Sequence, residues 1–178
     1  MATAPQKRLF TTEAITLVFA AFWALRGGKA ALLPQTPLFI LVGLISALLL
    51  GSFIARYFYL NLPEQSFDQT LLKRVQIWRG VSLFCVGFLT NATHHTELIY
   101  PLIGSIIGLT LIPMARALEE PIHYYSGTII VLISCFSCLL PAQMHMTLAG
   151  LGTATTLWIS ATIRLARIHT YTTQETVA

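Results

Sequence analysis

Charge is scarce in this chain. Only 10% of its 178 residues are Asp, Glu, Lys or Arg, against about 25% in a soluble domain, too few to cover a surface that faces water. Acids are rarer than bases, seven against eleven. No basic run is interleaved with aromatics in the way that follows a phosphate backbone, so nucleic acid is excluded as a partner. Cysteine is sparse as well. Cys85, Cys135 and Cys138 all fall in apolar segments, and an odd number buried there excludes a disulfide framework. No polar stretch is long enough to fold as a separate soluble domain, so residues 1–178 read as a single domain.

What remains is apolar: 55% of the residues are hydrophobic and the mean hydropathy is +0.70. The clearest segment is Pro37–Leu60, in which 18 residues pass between Pro37 and Arg56 without a charge. As a helix rising about 1.5 Å per residue it reaches about 36 Å, enough to cross a hydrocarbon core of about 30 Å. Five further segments follow the same logic: Leu9–Leu25, Val75–Ala92, Leu98–Ala115, Ile122–Leu140 and Ala142–Ile163. The fold expected is an all-α polytopic transmembrane bundle of six helices, with the lipid bilayer as its first partner. Gly27-Gly28, Pro34 and Pro37 mark the first turn, and 61–74 is the longest polar connection.

Basic residues test that division. Lys7, Arg8, Arg56, Lys73, Arg74, Arg79, Arg116, Arg164 and Arg167 fall on one side of a six-span arrangement, and Arg26 and Lys29 on the other. Nine against two is a positive-inside bias that places both termini in the cytoplasm. Each even-numbered span also starts near a proline (Pro37, Pro101, Pro141) and ends in an Ala/Arg cluster. That pattern predicts three helical hairpins in series, with the even helices inside and the odd ones nearer the lipid. Trp23, Tyr57, Tyr59, Trp78, Tyr100, Tyr124 and Tyr125 fall near the predicted interfaces, where amphipathic rings settle.

Small residues point to packing. Gly43, Ala47, Gly51 and Ala55 recur at every fourth position of the second span, Gly104 and Gly108 form a G-x-x-x-G pair, and Gly150 opens a similar pair with Ala154. In lipid such stripes let helices approach closely. They make a homo-oligomer or another membrane protein the expected protein partner.

Polar groups inside spans carry a functional reading first. Glu13, Arg56 and Arg79 stand at similar depth near the cytoplasmic side, and Glu13 is expected to pair with Arg79 or Arg56. Thr147, Thr153, Thr155, Thr156 and Ser160 make the sixth span the most polar. They either bond back to their own helix or line a hydrated path. His94, His95, Glu97 and His145 map to the opposite side and are the candidates for a metal or a proton-sensing group. Cys135 and Cys138, three apart in an apolar helix, read as small hydrophobes. No motif calls for a cofactor, and the chain is read as a non-enzyme.

The stretch Ile112–Gly127, IPMARALEEPIHYYSG, resembles a family of small six-span bacterial membrane proteins of unknown function, through Pro113, Ala115, Arg116, Pro121, Tyr124, Tyr125 and Gly127. The resemblance covers about a tenth of the chain. It implies the six-helix architecture and the bacterial inner membrane, and brings no ligand or catalytic residue. The first functional reading is a small transporter or channel for a small solute or ion. The alternatives are a membrane sensor or helix-docking partner, and an intramembrane enzyme built on the outer histidines.

Overall fold

The computed structural model describes residues 4–59 and 68–175. The side chains of Lys7, Arg8, Tyr57, Tyr59 and Arg167, and residues 61–67 of the 61–74 connection, lie outside what is described. Among the described residues the chain forms six α-helices and no strand: α1 (Ala4–Ala30), α2 (Gln35–Tyr59), α3 (Gln69–Ala92), α4 (Ile99–Ala117), α5 (Ile122–Ser137) and α6 (Ala142–Glu175). A 3-10 turn, Thr96–Leu98, precedes α4. Three of the helices, over Gln35–Arg56, Thr96–Ala117 and Ala142–Ala166, are long and apolar enough to cross a membrane.

Consecutive helices pack as hairpins, α1 with α2, α3 with α4 and α5 with α6, but the most extensive packing is between hairpins, α1 on α6 and α4 on α5. The core is therefore α1, α4, α5 and α6, with α2 leaning mainly on α1 and α3 on α4. This corrects the expected layering: of the even helices, α2 is outermost, and the odd helices α1 and α5 are central. The reason lies in the small residues. A Cβ on Gly27 would meet Leu151 N at 2.6 Å, and one on Gly150 would meet Gly27 Cα at 2.8 Å, so α1 and α6 touch backbone to backbone. Gly108 and Gly127 do the same for α4 and α5, each Cβ position lying 2.6 Å from the other residue's carbonyl oxygen. Around Gly43 and Gly51 a Cβ would meet nothing within 4 Å, and Ala47 and Ala55 are exposed. The stripe on α2 thus packs on nothing among the described residues.

The first turn is also made differently from expectation. Gly27-Gly28 does not break α1, which runs on to Ala30. Leu32 instead takes a left-handed conformation, φ 57°, while the Leu33 amide donates to the Gly28 carbonyl and the Leu32 amide to the Lys29 carbonyl. Two bonds of this kind satisfy the last carbonyls of a helix, normally around a glycine. The end of α4 repeats the device with Glu119 at φ 54°. At the start of α3, the Asp68 carboxylate accepts from the amides of Thr70 and Leu71, which covers two donors a helix start leaves free. The Asp68 amide donates to the Ala117 carbonyl and ties α3 to the end of α4.

Candidate functional site

The buried faces of α5 and α6 are unexpectedly polar. On α5 the buried positions include His123, Ser126, Ser134 and Ser137, and on α6 they include Thr153, Ser160 and Arg164. These spacings of three, four, seven and eleven are those of one helical stripe, and the two helices pack on each other and on α4. Helical rise puts Thr153 about 17 Å from Ala142 and about 17 Å from Arg164, midway along the crossing. There Ser134 presses its hydroxyl against Gly104, where a Cβ would meet Ser134 Oγ at 2.3 Å and Thr153 Oγ1 at 3.8 Å. The missing side chain of Gly104 is what makes room for the two hydroxyls. Ser126 and Ser137 bond back to the Ile122 and Ser134 carbonyls. Ser134 Oγ, Thr153 Oγ1 and Ser160 Oγ are buried and have no hydrogen-bond partner among the described residues. An orphaned buried hydroxyl costs about 1–3 kcal/mol, so three in one stripe call for an explanation.

At one end the stripe terminates in charge. Glu13 of α1 and Arg164 of α6 are 7% and 4% exposed, and Arg164 Nη1 donates to Glu13 Oε1. His123 Nε2 lies 3.5 Å from the same Nη1. A guanidinium only donates, so the imidazole presents its lone pair there and carries its proton on Nδ1. The Arg164 guanidinium also sits 5.9 Å from the centre of the fully buried Phe53 ring of α2, and Nε donates to the Ser160 carbonyl at 3.4 Å. The ion pair is one-pronged: Glu13 Oε2 and Arg164 Nη2 are buried without a partner among the described residues. Glu120, in the turn before α5, acts electrostatically on Glu13.

The expected partners of Glu13 are therefore corrected. Arg79 donates instead to Thr110 Oγ1 at 3.0 Å and to Met114 Sδ at 2.8 Å, both on α4. That follows from α3 packing on α4 and not on α1. Arg56 is half-buried, with Nη1 unpartnered among the described residues. Of the predicted hydroxyls, Thr153 and Ser160 lie on the buried stripe. Thr155 is exposed and donates to the Leu151 carbonyl, Thr156 donates to that of Gly152, and Thr147 is half-buried off the stripe.

At the other end, the segments before α4 and α6 converge, yet not as a metal centre. His145 Nδ1 lies 3.1 Å from the Glu97 carbonyl and Nε2 2.9 Å from the Leu140 carbonyl, so each nitrogen faces a backbone carbonyl and a neutral imidazole's single N–H can donate to one of them. His95 Nδ1 contacts Glu97 Oε1 at 3.0 Å, and His94 is exposed. No group of three or more His, Cys, Asp or Glu among the described residues is placed to hold a metal ion.

Sequence reading missed Arg164 and His123 as site residues. Arg164 counted only as an inside charge, though its spacing of four from Ser160 and eleven from Thr153 is the signal that places it on the same face. His123, one residue into α5, carried no comparable mark. No family model matches the chain, and no curated protein or solved structure matches it either.

Proposed function

We propose that the chain is a six-span transporter or channel that passes a small polar solute or ion along the buried α5–α6 stripe. The observation that carries this reading is the row of three orphaned hydroxyls leading to a half-satisfied ion pair. In a bundle held only by packing, apolar side chains would fill those positions at lower cost. Hydrated paths across membranes are lined by such hydroxyls and end in charged mouths. Helix lengths fit six spans: α1 and α3 reach about 40 Å and 36 Å, and α5, at about 24 Å, is extended by the turn residues that follow it. On this reading the Glu13–Arg164 end faces the cytoplasm of a bacterial cell, as the basic residues favour, and both termini share that side.

The test is solute-induced swelling of proteoliposomes, followed by light scattering with urea, glycerol and potassium chloride as probes. Entry of at least one probe should exceed that of protein-free liposomes, and Ser134→Ala with Thr153→Val should slow it. Rates equal to empty liposomes for every probe, together with no proton entry reported by a lumenal pH dye, would refute the proposal. One observation favours a second reading, a helix-docking partner with no transport of its own: the small-residue stripe of α2 is open along Gly43 and Gly51. Cysteines at those two positions that crosslink between chains, in a protein that passes no probe, would favour it.

A further inference from the structure

We infer that the Glu13–Arg164 pair is a proton-binding site, in which the Glu13 carboxylate takes up and gives back one proton against the fixed charge of Arg164. This rests on the transport reading above and names its coupling ion. The geometry is that of an exchangeable pair and not of a structural clamp. Buried Arg–carboxylate pairs that hold a fold are commonly two-pronged, with their remaining donors and acceptors satisfied. Here one N–H meets one oxygen, and Glu13 Oε2, Arg164 Nη2 and Ser160 Oγ are each buried and unpartnered among the described residues. The free oxygen is where a proton can be added without breaking the contact at Oε1.

The groups facing Glu13 from each packed element suit that exchange. From α6, Arg164 stays a cation whichever state Glu13 adopts. From α5, the His123 lone pair already points at Arg164 Nη1. From α2, the Phe53 ring face meets the guanidinium and remains as a weak anionic surface when Glu13 is neutral. From the turn before α5, Glu120 acts on Glu13 by like charge. From α3, Arg79 is held by Thr110 and Met114 of α4. The balance is simple: the carboxylate plus one proton gives the acid, and the cluster of Glu13 and Arg164 goes from neutral to singly positive. No bond between heavy atoms changes. An extended path needs only hydroxyls and passing water to deliver a proton, so a narrow, closely packed stripe suits this ion better than a bulky solute.

Infrared difference spectroscopy of the detergent-purified full chain, titrated between about pH 5 and pH 9, tests this directly. A protonated-carboxyl band should grow as pH falls, shift in heavy water, and be missing from Glu13→Gln. Arg164→Lys, which keeps the charge, should retain the band at a displaced midpoint. In proteoliposomes with pyranine inside and a potassium gradient clamped by valinomycin, the wild type should acidify the lumen and Glu13→Gln should not. A wild-type carboxyl band that does not change over this range would overturn the proposal, even where probes still pass in the swelling assay. A titrating Glu13 in a protein that passes neither protons nor solutes would sustain the proton site and refute transport. Should Glu13→Gln fold poorly, the wild-type titration and its heavy-water shift decide alone.

Discussion

Replacing Gly150 by alanine should weaken the bundle where the same change at Gly43 should not, and the structure fixes the difference in sign. At Gly150 the added methyl would lie 2.8 Å from Gly27 Cα, 3.0 Å from Gly27 N and 3.0 Å from the Trp23 carbonyl oxygen. All three are backbone atoms, so no rotamer change relieves the clash, and α1 and α6 must part by about 1 Å to reach an ordinary contact near 3.5–4.0 Å. A gap of that size forfeits about a quarter to a half of the attraction of every atom pair along the crossing. Overpacking of this kind costs about 1–3 kcal/mol. Alanine returns about 0.5–1 kcal/mol through its better helix propensity, which leaves a net loss of up to about 2.5 kcal/mol at Gly150. At Gly43 nothing lies within 4 Å, so only the propensity gain operates. Reversible unfolding in mixed micelles against a denaturing detergent measures both. Equal midpoints for the two variants would refute the claim that α1 and α6 meet through glycine, and with it the core arrangement.

Glu13→Ala and Arg164→Ala should each cost about 3–5 kcal/mol, since either leaves a buried uncompensated partner, and the double variant should cost less than their sum. Additive losses in the same unfolding assay would count against the pair. Leu32→Gly should raise stability by about 1 kcal/mol, because Leu32 is 91% exposed and holds φ 57°, where a side chain is strained. A loss there would show that Leu32 is packed against something. His145→Ala should remove the imidazole N–H from the Glu97 or the Leu140 carbonyl at about 1–3 kcal/mol. It should also raise the rate of limited proteolysis at residues 93–98, and an unchanged rate would refute the clasp.

Helix existence was legible because apolar runs and turn signals repeat cleanly: Gln35–Tyr59 differs from the expected Pro37–Leu60 by one or two residues at each end. Helix neighbours were not. Gly43 and Gly27 look alike in a sequence, and only the crossing of α1 over α6 separates a glycine that must be small from one that need not be. The same gap hid the ion pair. Glu13 was marked by being an acid inside an apolar run, but its partner lies 151 residues away, and depth alone pointed to Arg56 and Arg79 and passed over Arg164. The outer histidines failed as a group for a different reason. Spacing reports which side chains come near each other, but not that both nitrogens of His145 face backbone carbonyls.

Hydropathy and burial run in opposite directions along this molecule, and that ordering bears on what solvent surrounds it. Within an 18-residue window of each span, mean hydropathy and the buried share are 2.6 and 17% in α2, 1.9 and 39% in α4, and 1.2 and 44% in α6. In a protein folded in water the most exposed helix is the most polar, because its outer face must be wetted. Here the most exposed is the most apolar, and the outward positions of α3 beyond its basic start, Val81, Phe84, Phe88 and Leu89, repeat the pattern. A hydrocarbon surround rewards that arrangement, since it asks nothing polar of the outer surface and leaves polar groups to partner one another inside. Among the described residues α1 does not count as a span by length and apolarity, and Glu13 is the acid within them. Its most costly residue within the apolar run, Glu13, meets Arg164 of α6 in the folded bundle, so its cost is set by the pair and not by the lipid. Glu13→Leu should therefore make α1 a better isolated span and a worse member of the bundle. Insertion of the single helix by a translocon assay should improve while unfolding of the whole chain becomes easier. If both improved, Arg164 would have another partner and the inner polar cluster would not be what holds α1 in place.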